Sequence, residues 1–505
     1  MKAILPVLDE SAKEPYYMQL YRYLRDAITH GEIGEGERLP SLRSLAKSTE
    51  LSITTIEKAY DQLLVEGYIY SRAQSGYYAG RVAPARAQTA PYENAISGDK
   101  LSVSIGSANR SGDESAGRGG DMIGASASSG SAVSGRSGAG VFSGSAVSDR
   151  SGAEGSPPWL YDPDCFDFNK WKKCMNRVLT YESPALFFEG SPQGEAALRI
   201  QISRYLYQSR GVSCHPDQIV IAAGTQQITN LLATILRRLS VEHVALEEPG
   251  YTPVRNTFRD RGFAINSVDV ADNGLVLEKL PANIRAAVYV SPSNHSFTGA
   301  VMPIGRRYEL IRWAIANDSF IIEDDYDSEL RYFGRPIPAL KSLTDDDRVI
   351  YLGSFSSTLF AAVRISYMVL PPQIADAFYR ELGGYSQTCS KLEQLSLAMF
   401  METGAYRTHI RKLRKLYAQK LALVTDILRR EAADIVQVRN TSSGITVLLE
   451  PAGTAPKSPG KLKQDAESLG IPVSLSQDLL LLNYNQIPTD SIETYLARLI
   501  HLWRS

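Results

Sequence analysis

The sequence predicts two folded parts: a large α/β domain built on a mostly parallel sheet covered by helices, and a small N-terminal winged helix-turn-helix. Three observations carry this expectation. Short β-branched runs alternate with helical or turn-rich segments from residue 158 onward, the pattern of parallel strands joined by crossover helices. Three helical patterns followed by two β-prone pieces fill about the first 80 residues, the order of a winged helix-turn-helix. Between the two parts, residues 101–156 are dominated by Ser, Gly and Ala, too poor in large side chains to offset the entropy of ordering. The expected boundaries are 12–80 for the small domain, 81–157 for a flexible linker and 158–505 for the large domain. A near repeat inside the linker, SGSAVSGRSGAG and SGSAVSDRSGAE, has two copies and no core pattern, so it argues for a linker rather than a solenoid.

Composition sets outer limits. The chain has 505 residues, 44% of them hydrophobic and 22% charged, with a formal net charge of −1, which is ordinary for soluble protein. That balance neither requires nor excludes nucleic acid, because a small basic face can hide in it. Cys165, Cys174, Cys214 and Cys389 show no paired spacing, and the six histidines are scattered, so no metal site or disulfide framework is expected. The N-terminus has no sustained apolar run and no segment reaches bilayer-spanning length; the expected location is the cytoplasm, with no membrane partner.

In the small domain, the first helix runs from Tyr17 to His30 with Leu20, Tyr21, Leu24, Ala27 and Ile28 on one face, punctuated by Gly31 and Gly34. A second starts at Ser41, a natural cap after Pro40. The third starts at the cap Ser52, places Ile56, Ala59, Tyr60, Leu63 and Leu64 on one face and closes at Gly67. GYIYS and GYYAG then form a hairpin across Arg72-Ala73-Gln74-Ser75. In this geometry Ser52, Thr54, Thr55 and Lys58 lie on the exposed side of the third helix, and Arg38, Ser41, Arg43, Lys47 and Arg72 stand ready for phosphates or a minor groove. Charge alone does not decide the matter, since residues 1–86 hold 11 basic and 11 acidic residues. The run from GERLPSLRSLAKS through AYDQLLVEGYIYSRAQSGYY resembles the GntR-type DNA-binding domain. It departs at Ile53, where that family commonly has arginine.

In the large domain the residues that follow each strand belong together, because ligands of open α/β sheets gather beyond the carboxyl ends of the strands. These stretches are AGTQQ at 223, EEPGY at 247, SPSNHSFTG at 291, EDDYDSE at 323 and GSFSST at 353. Gly224, Thr225 and Gln226 open a helix whose free amides favour a phosphate; Ser354, Ser356 and Arg364 complete an anion site. Tyr251 offers an aromatic face, while Asn294, Asp324 and Tyr326 supply an amide, a carboxylate and a phenol. Together they suit a flat, polar, phosphorylated heteroaromatic.

These stretches, with SPQGEAALRIQISRYL and IIEDDYDSELRYFGRPIPALKSL, resemble the fold-type I aminotransferase domain over residues 158–505 almost continuously. Joined to the N-terminal domain, they resemble the MocR regulators, the GabR-like branch of GntR proteins. The resemblance implies pyridoxal 5′-phosphate as cofactor, with Asp324 at the pyridine nitrogen, Tyr326 and Asn294 at the ring hydroxyl, Tyr251 on the ring face, and Thr225, Gln226, Ser354, Ser356 and Arg364 on the phosphate.

Ser357 stands where that family has its Schiff-base lysine. A hydroxyl can neither form an imine nor shuttle the substrate proton well, so no catalytic residue is assigned and the domain is expected to be inactive as an enzyme. Two departures agree: the late strand LLLLNYN lacks the family's substrate-carboxylate arginine, and FFEGSPQG alters the usual spacing before the Pro-x-Gly turn. The expectation is a transcription regulator whose large domain senses pyridoxal 5′-phosphate, its adduct or a related amino compound, with the cofactor held noncovalently or lost. The alternatives are a pyridoxal-phosphate aminotransferase with an accessory DNA-binding domain, and a DNA-binding dimer with a ligand-free scaffold. The expected partners are double-stranded operator DNA, a small-molecule effector and a second copy in a head-to-tail homodimer.

Overall fold

The computed structural model describes residues 15–49, 51–72, 76–80, 162–332, 338–439, 444–476 and 478–505; the expected linker lies outside these residues.

In the N-terminal domain, α1 (Tyr16–Thr29) buries Leu20, Tyr21, Leu24, Ala27 and Ile28 together with Met18. Helix α2 (Leu42–Thr49) follows Ser41, whose Oγ accepts a bond from the Ser44 amide at 3.2 Å. Helix α3 (Ile53–Val65) is capped by Ser52, whose Oγ accepts from the Thr55 amide at 3.1 Å, satisfying one of the free donors of its first turn. Gly67, at φ +75°, lets the chain leave the helix in a conformation that favours glycine. Strands β1 (Ile69–Arg72) and β2 (Gly76–Ala79) then pair antiparallel with Ile69 opposite Ala79. The core of this domain gathers Leu45, Ile56, Tyr60 and Leu63 and extends onto Ile304 of the large domain. The Ile304 amide donates to the Glu66 carbonyl at 2.9 Å.

The large domain opens with α4 (Phe168–Tyr181) and α5 (Ala196–Arg210) and builds an eight-stranded sheet. Its strands in chain order are β3 (Ile219–Ala223), β4 (His243–Glu248), β5 (Ala264–Ala271), β6 (Gly274–Leu275), β7 (Ala286–Val290), β8 (Phe320–Asp324), β9 (Val349–Ser354) and β10 (Ile365–Val369). Their spatial order is β3-β10-β9-β8-β7-β4-β5-β6. Neighbours from β9 through β5 run parallel, while β10 is antiparallel to both β9 and β3.

Helices cover both faces, and the strand pleat divides the core between them. Val220 and Ala222 join the cluster under α6 (Thr225–Arg238), while Ile219 and Ile221 join the cluster under α5. The amphipathic pattern of α6 is realised, with Ile228, Leu232, Ile235 and Leu236 buried. Helix α7 (Thr252–Asp260) follows β4, and α8 (Ile304–Ala316) precedes β8. A 27-residue helix, Ala405–Glu431, leads into a second, wholly antiparallel sheet. Its strands are β11 (Val436–Arg439), β12 (Thr446–Pro451), β13 (Val473–Ser476) and β14 (Leu479–Asn483).

Candidate functional site

The parallel strands deliver their following residues to one end of the large sheet, where a cavity of about 370 Å³ opens. Thr225, Tyr251, Asp324, Tyr326, Ser354, Ser356, Ser357 and Arg364 all line it. Two expected members do not: Gln226 is exposed on the first turn of α6, and the buried Asn294 turns its amide toward Asp327 at 3.4 and 3.5 Å.

An anion cradle forms one end. Gly224, the cap of α6, has φ 84° and ψ 166°, a combination that is essentially reserved for glycine. The Arg364 guanidinium lies against it: a Cβ added at Gly224 would overlap that group, with Cζ at 2.8 Å. Arg364 is itself left-handed at φ +47°, so the turn between Val363 and β10 aims its side chain at the start of α6. The Ser354 Oγ accepts bonds from the Ser366 hydroxyl at 3.0 Å and from the Ser356 amide at 3.3 Å. The Ser356 Oγ is buried without a partner among the described residues, a cost that a bound acceptor would relieve. Free helix-terminal amides, hydroxyls and a guanidinium fork are together the donor set of a phosphate site.

Carboxyl groups occupy the floor. Asp324 accepts a bond from the Tyr289 hydroxyl, and burial pushes its pKa up to about 7. Glu247 accepts from the Ser291 amide at 3.1 Å, and burial lifts it to about 8. His295 Nε2 lies 3.7 Å from Glu247 and 3.0 Å from the Pro249 carbonyl; burial lowers its pKa to about 4, so the ring is neutral. Behind this layer Arg210 grips Asp325 through Nε at 2.6 Å and Nη2 at 3.1 Å. Tyr351 donates to the same carboxylate at 2.5 Å, and the charged pair holds Asp325 below the usual carboxylate range despite burial.

Ser357 lines the cavity and donates its hydroxyl proton to the Tyr326 carbonyl at 2.8 Å. Among the described residues no lysine lines the cavity, and the lining cations are Arg255 and Arg364. Arg255 is tied to Glu248 and donates to the Ser267 hydroxyl at 2.9 Å. The second sheet closes the cavity with Thr446, Ser474, Leu481 and Asn483. The reading of the LLLLNYN strand therefore reaches the right wall, whereas Thr446 and Ser474 carried no sequence signal. Glu247 lay inside a stretch already singled out, EEPGY, and His295 inside SPSNHSFTG, but only their shared burial shows that they meet.

The second candidate surface is the outer face of the N-terminal domain. Arg38, Ser41, Arg43, Lys47, Ser52, Thr54 and Lys58 are exposed, as is Ile53, and Thr55 is half-buried against the Ser52 cap. The Arg72 side chain lies outside the described residues.

Comparison with known proteins agrees with this architecture. The family described as "Bacterial regulatory proteins, gntR family" matches residues 16–78, and "Aminotransferase class I and II" matches residues 160–465. The chain is 34% identical over 483 residues to the HTH-type transcriptional regulator YdeL of Bacillus subtilis (strain 168), covering 94% of this chain and 92% of that one. It is 31% identical over 442 residues to the probable rhizopine catabolism regulatory protein MocR of Rhizobium meliloti, covering 88% and 83%. An archaeal alanine:glyoxylate aminotransferase structure superposes with a TM-score of 0.61 at 20% identity, over 69% of this chain and 90% of that one, which shows a shared fold. The chain thus belongs to the GntR family of bacterial regulatory proteins, in the MocR-type branch that carries an aminotransferase class I and II domain.

Proposed function

We propose that this regulator binds operator DNA through its N-terminal domain and uses the aminotransferase-like cavity as a noncovalent sensor of a pyridoxal 5′-phosphate-type ligand, without transaminase activity. One observation carries the reading: an intact anion cradle, Gly224–Arg364–Ser356, shares its cavity with Ser357 and, among the described residues, with no lysine. Such a ligand supplies an electron-withdrawing pyridinium ring when bound.

The remaining chemistry belongs to the chain. Thr225, Ser354, Ser356 and Arg364 would hold the phosphate, and Tyr251, half exposed, would cover a ring face. Asp324 would stand at the ring nitrogen, where a facing cation favours the ionised form of a buried carboxyl. Ser357 offers no amine to attach the ligand or move a substrate proton. A pure scaffold gives no account of the unpartnered Ser356 hydroxyl.

On the DNA side, Ser52, Thr54, Thr55 and Lys58 read the major groove, while Arg38, Ser41, Arg43 and Arg72 contact phosphates or the minor groove, with Ile53 altering the usual contact at that position. The exposed aromatics Tyr181, Phe187 and Phe188, between 72% and 87% accessible, support a homodimer that binds paired half-sites. A differential ligand affinity of about 1–3 kcal/mol between two domain arrangements is enough to change operator occupancy.

The test pairs operator binding with ligand titration. The protein should prefer its own upstream DNA over random DNA, with affinity falling steeply as salt rises. Titration with pyridoxal 5′-phosphate should show no lysine-bound absorption band in this chain and should show one in Ser357→Lys. Absence of any DNA preference would overturn the regulator reading, and a lysine-bound band in the unsubstituted chain would overturn the noncovalent one.

A further inference from the structure

The cavity holds both donors and unengaged acceptors. The cradle supplies donors, where Arg364 and the start of α6 converge. Two acceptors on its walls are unengaged among the described residues. The Ser357 hydroxyl spends its single proton on the Tyr326 carbonyl at 2.8 Å, which leaves only lone pairs to present to a ligand. On the wall supplied by β14, Asn483 lines the cavity with its Oδ1 buried and without a partner among the described residues. The floor carboxyls of Asp324 and Glu247 are already engaged, accepting from the Tyr289 hydroxyl and the Ser291 amide. Arg255, the described lining cation outside the cradle, is already engaged by Glu248, Ser267 and the Glu247 carbonyl.

From this pattern we infer that the cavity selects a phosphorylated hydroxypyridine bearing a primary amine, the pyridoxamine 5′-phosphate class, over the corresponding aldehyde. The inference rests on the sensor reading above and adds which form of the ligand is sensed. An ammonium group brings three donors and a positive charge to the unfilled lone pairs of Ser357 and of the Asn483 Oδ1. An aldehyde brings a lone-pair oxygen to Ser357 and leaves those acceptors unsatisfied. A lysine at 357 would reverse this preference by capturing the aldehyde covalently; the serine removes that route and leaves hydrogen bonding to decide. An alcohol, which can both donate and accept, falls between the two.

The experiment is a calorimetric titration of the full chain with pyridoxamine, pyridoxine and pyridoxal 5′-phosphates in one buffer at pH 7.5. The expected order is amine, alcohol, aldehyde, with the amine about 10- to 100-fold tighter than the aldehyde, the worth of one charge-assisted hydrogen bond. Ser357→Ala, which removes the acceptor with little change in volume, should lower the amine's advantage about tenfold and leave the aldehyde's affinity where it was. Equal affinities, or an aldehyde that binds tightest, would overturn this inference while leaving the sensor reading intact. If none of the three binds, the sensor reading itself fails and this one with it. A Ser357→Ala protein that keeps the full amine preference would show that Ser357 is not its source.

Discussion

Gly224→Ala tests the cradle most directly. Position 224 combines φ 84° with ψ 166°, so any Cβ there costs about 1–3 kcal/mol of backbone strain. The new methyl also overlaps the Arg364 guanidinium. That group is the far end of a flexible side chain, whereas Gly224 is fixed between the buried β3 and α6, so the guanidinium moves and the helix does not. A phosphate then loses a charge-assisted fork worth about 1.5–3 kcal/mol. The dissociation constant for pyridoxamine 5′-phosphate should rise about 10- to 100-fold, measured by calorimetry, and urea unfolding should report a loss of about 1–3 kcal/mol. Arg364→Met separates the two effects: Arg364 is exposed, so this variant should lose the same affinity with little change in stability. Unchanged affinity in both variants would refute the assignment of the anion to this corner.

Three further outcomes follow from buried groups. Arg210→Met strands the Asp325 carboxylate, since both side chains of the pair are at most 2% exposed; a loss of about 3–5 kcal/mol is expected in urea unfolding. Most of it should return in the double variant with Asp325→Asn. Burial raises Glu247 to about 8, Asp324 to about 7 and Asp327 to about 8, so between about pH 4 and pH 8 the folded chain holds protons that the unfolded chain releases. Stability contributed by the protonated carboxyls is therefore lost as pH rises through that window, by at most about 1.4 kcal/mol per pH unit for each titrating group. A melting temperature that rises or stays level from pH 5 to 8, or an Asp324→Asn protein with an unaltered slope, would contradict this. At the contact between the domains, a Cβ on Gly67 would lie 2.7 Å from the Pro303 Cβ. Gly67→Ala should therefore speed hydrogen exchange at the Ile304 amide, which donates to the Glu66 carbonyl; unchanged exchange there would show that the contact tolerates the methyl.

Legibility in the sequence followed the range of the interaction. Helical faces such as Leu20–Leu24–Ile28 and Ile228–Leu232–Ile235 were readable because period and burial coincide over a few turns. The Ser52 cap was readable because its partner is three residues away. Loops after parallel strands were readable as a group, since the topology sends them all to one end of the sheet. Asn294 shows the limit: its residue type suited the site, but its side chain turned to Asp327, 33 residues distant. Arg210 and Asp325 are 115 residues apart, and nothing local marks either as the other's partner.

By itself the sequence determined the two fold classes, the family resemblance and the fact that residue 357 carries a hydroxyl instead of an amine, since each is a matter of local pattern or residue identity. Tertiary structure alone decided where that hydroxyl's proton goes, which wall Asn483 presents, how Arg364 lies on Gly224 and where the small domain meets Ile304. These depend on groups brought together across tens to hundreds of residues, and a hydrogen bond is settled by distance and direction in space, which sequence spacing does not encode.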